Sequence, residues 1–331
     1  MATLIVPTDF PTIQSAVDAA SPGDTILIQE GIYSESVMVN KDNITIKAMD
    51  NELVEINGVT DEGIGIDISG AHRVLLQDLR ISNFSIGIFL RGDKNSIVNV
   101  RCLSNGRYGI LLRGNANKIE ECVLATNNLS GINMFGNDNA IKNNIFTLNT
   151  IGGIINVGGK ASENLIENNS IRFSRVGIGW YSSDSSGNIF KENLLNDNEN
   201  AFIMYGKCNN IQQNILIGTS KTGIIINNSY NKVINNNISS SLDGIIVQGT
   251  DTSIIGNIIQ GNTQDGINVL SNNNLLQRNI ITSNNIGVSI TGNFNSINDN
   301  VISDNELFNI VNKGIDNKIF SNINDGKVVG I

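Results

Sequence analysis

Between residues 65 and 309 one pattern keeps returning. A glycine followed by an apolar residue stands at Gly65, Gly87, Gly109, Gly131, Gly153, Gly177, Gly223, Gly244, Gly266 and Gly287, with Ala201 in the same series and Asn309 closing it. The spacing is about 22 residues, a period that belongs to solenoids. Inside one period, Gly87 to Tyr108, apolar residues alternate with polar ones in three short runs: Ile88 and Leu90, then Ile97, then Val100 and Cys102. Period-2 alternation is the mark of strands, so each coil is predicted to hold three. If every strand pairs with its counterpart one coil on, the chain is an all-β, single-stranded parallel β-helix. A leucine-rich repeat lacks its leucine spacing here, and a propeller blade needs about 40 residues. Ahead of the repeat, Ile13, Ala16, Val17 and Ala20 fall on one helical face, and Pro11 suits a helix start. We read this amphipathic helix as an N-terminal cap over the first coil. The expected layout is one domain over 1–331, with a cap segment at 1–24, irregular coils at 25–62 and regular coils at 63–331.

The residues one and three places after each glycine are expected inward: Ile88 and Leu90, Ile110 and Leu112, Ile178 and Trp180, and so on to Val288 and Ile290. The coil at Gly153 puts Asn156 at an inward place, which predicts a local bulge. Between the second and third strands lies a polar column, Asn99, Asn144, Asn169, Asn193, Asn214, Asn236, Asn257, Asn279, Asn300 and Asn322. Asparagine tolerates the left-handed backbone of a sharp corner, and its amide can bond to the next coil's. A second column stands eight residues past the glycine: Asn95, Asn117, Asn139, Asn231, Asn274, Asn295 and Asn317.

Composition agrees. The chain has about 55 asparagines, 33 glycines, 16% charged residues and 5% aromatics. Net charge is -9, which argues against a nucleic-acid footprint. No apolar run reaches the ~18 residues of a membrane span, and no secretory signal is recognised at MATLIVPTDF. Three cysteines without a CxxC exclude a disulfide framework or zinc site. Cys102 and Cys122 are two strand positions out of register, so both are expected free and buried. His72, the one histidine, reads as a turn residue.

The stretch FPTIQSAVDAASPGDTILIQEGIYSESVMVNKDNITIKA resembles the N-terminal segment of pectin-lyase-like right-handed β-helix proteins, and Gly31 to Glu35 is similar to an early pectinesterase motif. The later NxIxxNxI repeats are most similar to the NosD-type and carbohydrate-hydrolase repeat families. The resemblance covers nearly the whole chain and implies a right-handed coil. It also implies polysaccharide chemistry and an extracellular or cell-, spore- or virion-surface location. The enzymes' motifs are mostly missing, however. The Gln, two Asp and Arg stretches of pectinesterases are absent. So is the Asp-Pro-His-Asp stretch of the epimerases, since only Pro7, Pro11 and Pro22 exist. The paired aspartates of polygalacturonases are not seen either.

Candidate chemistry therefore comes from the outward positions of the glycine strand. Four places after the glycine stand Arg91, Arg113, Phe135, Val157, Tyr181 and Tyr205. Arg91 and Arg113 would stack like on like unless an anion lies between them, and Arg107 and Arg175 in the preceding turns could join them. Arginine forks beside aromatic faces suit an acidic sugar polymer. The two longest coils add loops at VGGKASEN and YSSDSSGN, carrying Lys160, Glu163 and Asp184. Asp184 and Glu199 are the acids to test as proton donor or base. Asp243 and Asp265 in neighbouring coils could hold Ca²⁺; no other cofactor is expected. The outward residues Ile203, Ile225 and Ile246 form an apolar stripe, and the C-terminal coil shows no cap. A homo-oligomer through either is expected. The functional expectation is a polysaccharide-binding protein, of uronate lyase or epimerase class if catalytic. The alternative is a non-catalytic structural, adhesin or surface-assembly rod.

Overall fold

The computed structural model describes every residue except Asn51, Asp325 and Ile331. The chain forms two compact units, Met1–Ser170 and Ile171–Ile331. Each is a parallel β-helix built from the same three-strand coil. In the coil at Gly87 the strands are Ile86–Leu90, Ser96–Val98 and Arg101–Leu103. We call them the glycine strand, the second strand and the third strand. Each pairs in parallel with its counterpart in the next coil, as in Ile88↔Ile110, Ile97↔Ile119 and Cys102↔Leu124. The second unit repeats the arrangement from Val176–Trp180 to Val328–Gly330.

The predicted inward residues of the glycine strand are all fully buried, and Ile97, Ile119, Leu124 and their equivalents line the other two walls. Each such side chain contributes about 1.5–3 kcal/mol by leaving water. The glycine itself is needed for coil-to-coil approach. A Cβ at Gly87 would lie 2.6 Å from Gly109 O, and one at Gly109 2.8 Å from Gly131 O. In the second unit Trp180 meets Phe190 edge-on at 5.0 Å, and Phe190 meets Phe202 in the same way at 5.8 Å.

The first coil is covered by the helix Ile13–Ala19, which buries Ile13, Ala16 and Val17. Thr12 and Ser15 close a capping box at its start. Glu35, from the stretch that resembles the pectinesterase motif, accepts from the backbone N–H of Ile13 and Gln14 at 2.9 and 3.0 Å. A carboxylate there satisfies two donors that the helix leaves open.

The corner between second and third strands differs from expectation in one respect. The left-handed residue is the one before the asparagine: Asn143, Asn168, Glu192, Gln213, Asn235 and Arg278 have φ of 53° to 56°. Asn99 belongs to this outer column, with φ 49°, and Val100 takes the inward place. The asparagines themselves point inward and are buried. Asn236 shows the pattern. Its Oδ1 accepts from Asn214 N and Nδ2, both at 2.9 Å, while its Nδ2 donates to Ile211 O and Asn257 Oδ1 at 2.9 and 3.0 Å. The second expected column behaves alike, from Asn95 through Asn117 and Asn139 to Asn164. A third column, before the glycine strand, runs Asn105, Asn127, Asn149 and again Asn262, Asn284, Asn305. Asn156 does point inward, and the strand register with the preceding coil, Ile132↔Ile154 and Asn133↔Ile155, runs up to the residue before it. Its buried amide donates to Met134 O and Gly159 O at 2.8 and 2.7 Å. Cys102 and Cys122 are free and buried, as expected.

Replacing Asn236 by Ala leaves several buried groups unpaired, and should cost on the order of 3 kcal/mol in urea unfolding. Cys122 occupies an asparagine place, with its N–H already donating to Asn144 Oδ1 at 2.9 Å. Cys122→Asn lengthens the column and should raise stability by about 1 kcal/mol. A loss of that size instead would count against the ladder as the stabilising element.

Candidate functional site

In the first unit the outward face of the glycine strands carries a concentrated group of functional side chains. Arg91 and Arg113 share one ring: the Phe89 centroid is 4.9 Å from the Arg91 guanidinium carbon and 5.7 Å from that of Arg113. Arg113 also covers Phe135 at 5.3 Å, and Arg107 covers Tyr108 at 5.2 Å. Guanidinium–ring contacts of this kind attract, and they offset part of the like-charge cost expected from the sequence. Among the described residues none of these three arginines has a carboxylate partner, so the face carries uncompensated positive charge.

Beside Arg113 opens a cavity of ≈ 590 Å³, lined by Tyr108, Arg113, Asn133, Phe135, Val157 and Gly158. Val157 and Gly158 come from the first of the two longer coils. Phe135 sits against that loop closely enough that a Cβ on Gly159 would lie 2.6 Å from Phe135 Cδ1. The floor residue Asn133 is 7% exposed, and its Oδ1 has no hydrogen-bond partner. A buried acceptor without a donor costs free energy unless something supplies one. Asn133 and Phe89 each stand two places after their glycine, Gly131 and Gly87, on the outward side of the strand, and the sequence alone gives neither a role. A cavity of similar size, ≈ 560 Å³, opens beside Asp50, Glu52, Asp78, Arg80 and Arg101. Acids outnumber arginines in that lining, and Glu55 pairs with Arg80 at 3.5 Å, so it offers no surplus of positive charge.

The remaining candidates lie in the second unit. The Tyr181 and Tyr205 rings stack at 5.8 Å with a 31° tilt. Burial pushes the Tyr181 phenol up, helped by Tyr205 and opposed by Arg175. Glu199 is held by Lys221 Nζ at 2.8 Å. That hydrogen bond, with the charges of Lys221 and Arg175, draws its carboxyl below the ordinary range and favours a base over a proton donor. Asp184 is exposed on its loop. The acids whose carboxyls are raised are others. Burial and the neighbouring charge of Asp243 push Asp265 up to about 6, against the opposing charge of Lys313. Burial raises Asp243 as well, although the Asp265 N–H donates to its Oδ1 at 3.2 Å. Among the described residues no three or more His, Cys, Asp or Glu side chains group to hold a metal ion. His72 accepts from the Asp93 N–H at 3.1 Å through Nδ1. No helix among the described residues is long and apolar enough to cross a membrane.

Stacked three-strand coils, corner asparagines and a helical cap define the class as a parallel β-helix. The sequence model of the right handed beta helix region matches residues 20–171 and 86–238, and the chain belongs to that family. No curated protein matches the chain in sequence. Several solved structures share the fold. The A-module of the Azotobacter vinelandii mannuronan C-5 epimerase is 15% identical at a TM-score of 0.53, over 96% of this chain and 83% of that one. A family 6 polysaccharide lyase of Pseudopedobacter saltans is 17% identical at 0.62, over 98% and 93%. The tailspike protein of E. coli bacteriophage HK620, solved with a hexasaccharide, is 10% identical at 0.68, over 99% and 73%.

The raised carboxyls set a pH dependence. A carboxyl whose folded value lies above its unfolded one, about 3.9, stabilises the fold fully below that pH. The contribution is lost as pH climbs through about 6, where Asp265 ionises. Asp265→Asn should therefore flatten the fall in stability between pH 4 and 6.5. At pH 7.5 it should gain about 1 kcal/mol once solvent screening is counted. Urea midpoints across that range check it; an unchanged slope would contradict the assignment.

Proposed function

We propose that this protein binds an acidic polysaccharide along the outer face of the glycine strands in residues 1–170. The observation that carries the reading is the juxtaposition of Arg113, ion-pair free and laid over Phe135, with the buried, unpaired Asn133 Oδ1 in one cavity. Each part matches a feature of such a polymer. A guanidinium fork takes the carboxylate, an aromatic ring takes the apolar face of a sugar, and the lone acceptor takes a hydroxyl. Arg91 and Phe89 repeat the arrangement one coil away, about 4.8 Å along the axis, which extends the positive face toward neighbouring sugars of the same chain. The reactions named for the structural neighbours, C-5 epimerisation and lyase cleavage, begin by neutralising a uronate carboxylate, and Arg113 supports that step. Binding is therefore the function we assign, and processing of uronates is the chemistry it would serve.

Calorimetric titration with acidic and neutral oligosaccharides tests this. Arg91→Ala with Arg113→Ala should weaken binding of the acidic ligand by at least tenfold while moving stability little, since exposed charges contribute little to folding. Asn133→Leu should weaken it by ~1–3 kcal/mol through the lost hydroxyl contact. Equal affinity for acidic and neutral chains, or binding untouched by the double replacement, would refute the reading.

A further inference from the structure

In the second unit the third strands expose an apolar column on their outer side. Leu194, Ile215, Ile258 and Ile280 are 39%, 44%, 38% and 43% exposed. They lie in one register line, two on either side of Asn237: Leu194↔Ile215, Ile215↔Asn237, Asn237↔Ile258 and Ile258↔Ile280. The line runs on through Val301 to Ile323. The stripe Ile203, Ile225 and Ile246 on the glycine strands, expected from sequence to drive assembly, is by contrast only half-exposed. We infer that the third-strand column is an interface for a second copy of this chain, packed across a two-fold axis along the Asn237 strand.

Two properties of the face select that occupant. The first is charge. The left-handed corner residues beside the column run Glu192, Gln213, Asn235, Gly256, Arg278, Asp299 and Ser321, so an acid and a base stand two coils to either side of Asn235. Glu192 and Arg278 are both exposed, and neither has an ion-pair partner among the described residues. Turning a second copy by 180° about the Asn237 strand lays Leu194 over Ile280 and Ile215 over Ile258. The same rotation lays Glu192 over Arg278, and symmetry makes each contact twice. A partner without this sequence has no reason to carry its opposite charges at the same separation. The second property is area. The apolar column with its neutral flanks, Ser239, Gln260 and Thr282 on one side and Gln213 and Asn235 on the other, offers roughly 800 Å² per partner, the size of a standard interface. Matching coil spacing lets the two columns interdigitate.

Light scattering and sedimentation at 5–100 µM should give twice the chain mass. Ile258→Glu should give the single mass with an unchanged circular dichroism melt at low concentration. Glu192→Arg sets arginine against arginine and should raise the dimer dissociation constant about tenfold. Adding Arg278→Glu to it restores the opposite charges and should bring the constant back near the original. These two surface changes leave the apolar column intact, so they remain informative if Ile258→Glu folds poorly. A single mass at 100 µM overturns the proposal. So does a dimer indifferent to Ile258→Glu, or a charge swap that fails to recover what the single reversal lost.

Discussion

Everything in this molecule depends on burying primary amides at the corners. A coil of about 22 residues must turn three times, and each turn leaves backbone groups inside with no strand partner. An asparagine at the corner supplies an acceptor to the coil on one side and a donor to the coil on the other, as Asn236 does with four bonds. Unpaired, such an amide would be a liability of several kcal/mol; paired on both sides it fixes coil-to-coil register. A slip by one coil position would break all three columns at once.

Fixed register is what gives the surface its chemistry. Outward side chains recur at one spacing, so a face is written by which residues occupy a column. In the first unit one column carries Arg91, Arg113 and Phe135, and the parallel one carries Phe89, Leu111 and Asn133. Cation–ring contacts join Arg91 and Arg113 to Phe89 across the two columns and Arg113 to Phe135 within one. The longer coil after Asn156 then adds Val157 and Gly158 as a wall, and the Asn156 amide ties the root of that loop through Gly159 O. In the second unit the same rule writes different faces: a pair of aspartates with raised carboxyls on the glycine strands and an apolar column on the third strands.

How much of this is legible in the sequence follows from the same physics. The glycine column and the inward pairs are legible because close approach and burial tolerate few alternatives: Gly87 faces Gly109 O, and Ile88 faces the core. The corner is misplaced by one residue because several residue types take the left-handed position, so Asn99 looks like a member of the buried column. The third asparagine column is diluted by Thr219 and Ser241, which stand where asparagine is expected. In runs such as Ile215–Ile217 alternation is invisible in the sequence because every residue is apolar, yet Ile215 and Ile217 are 44% and 43% exposed. The roles of Phe89 and Asn133 depend on distances between coils, which no single coil contains. Asp265 is notable only beside Asp243, whose charge adds to burial in raising its carboxyl, and that neighbour stands one coil away rather than in the same stretch of sequence.

The most direct test of the account is a crystal structure of the protein soaked with an acidic oligosaccharide. The account predicts the chain lying across the glycine strands of residues 1–170, a sugar carboxylate bidentate to Arg113, a ring over Phe135 and a hydroxyl donating to Asn133 Oδ1. Density for the sugar on another face, with Asn133 Oδ1 still unpaired, would contradict it.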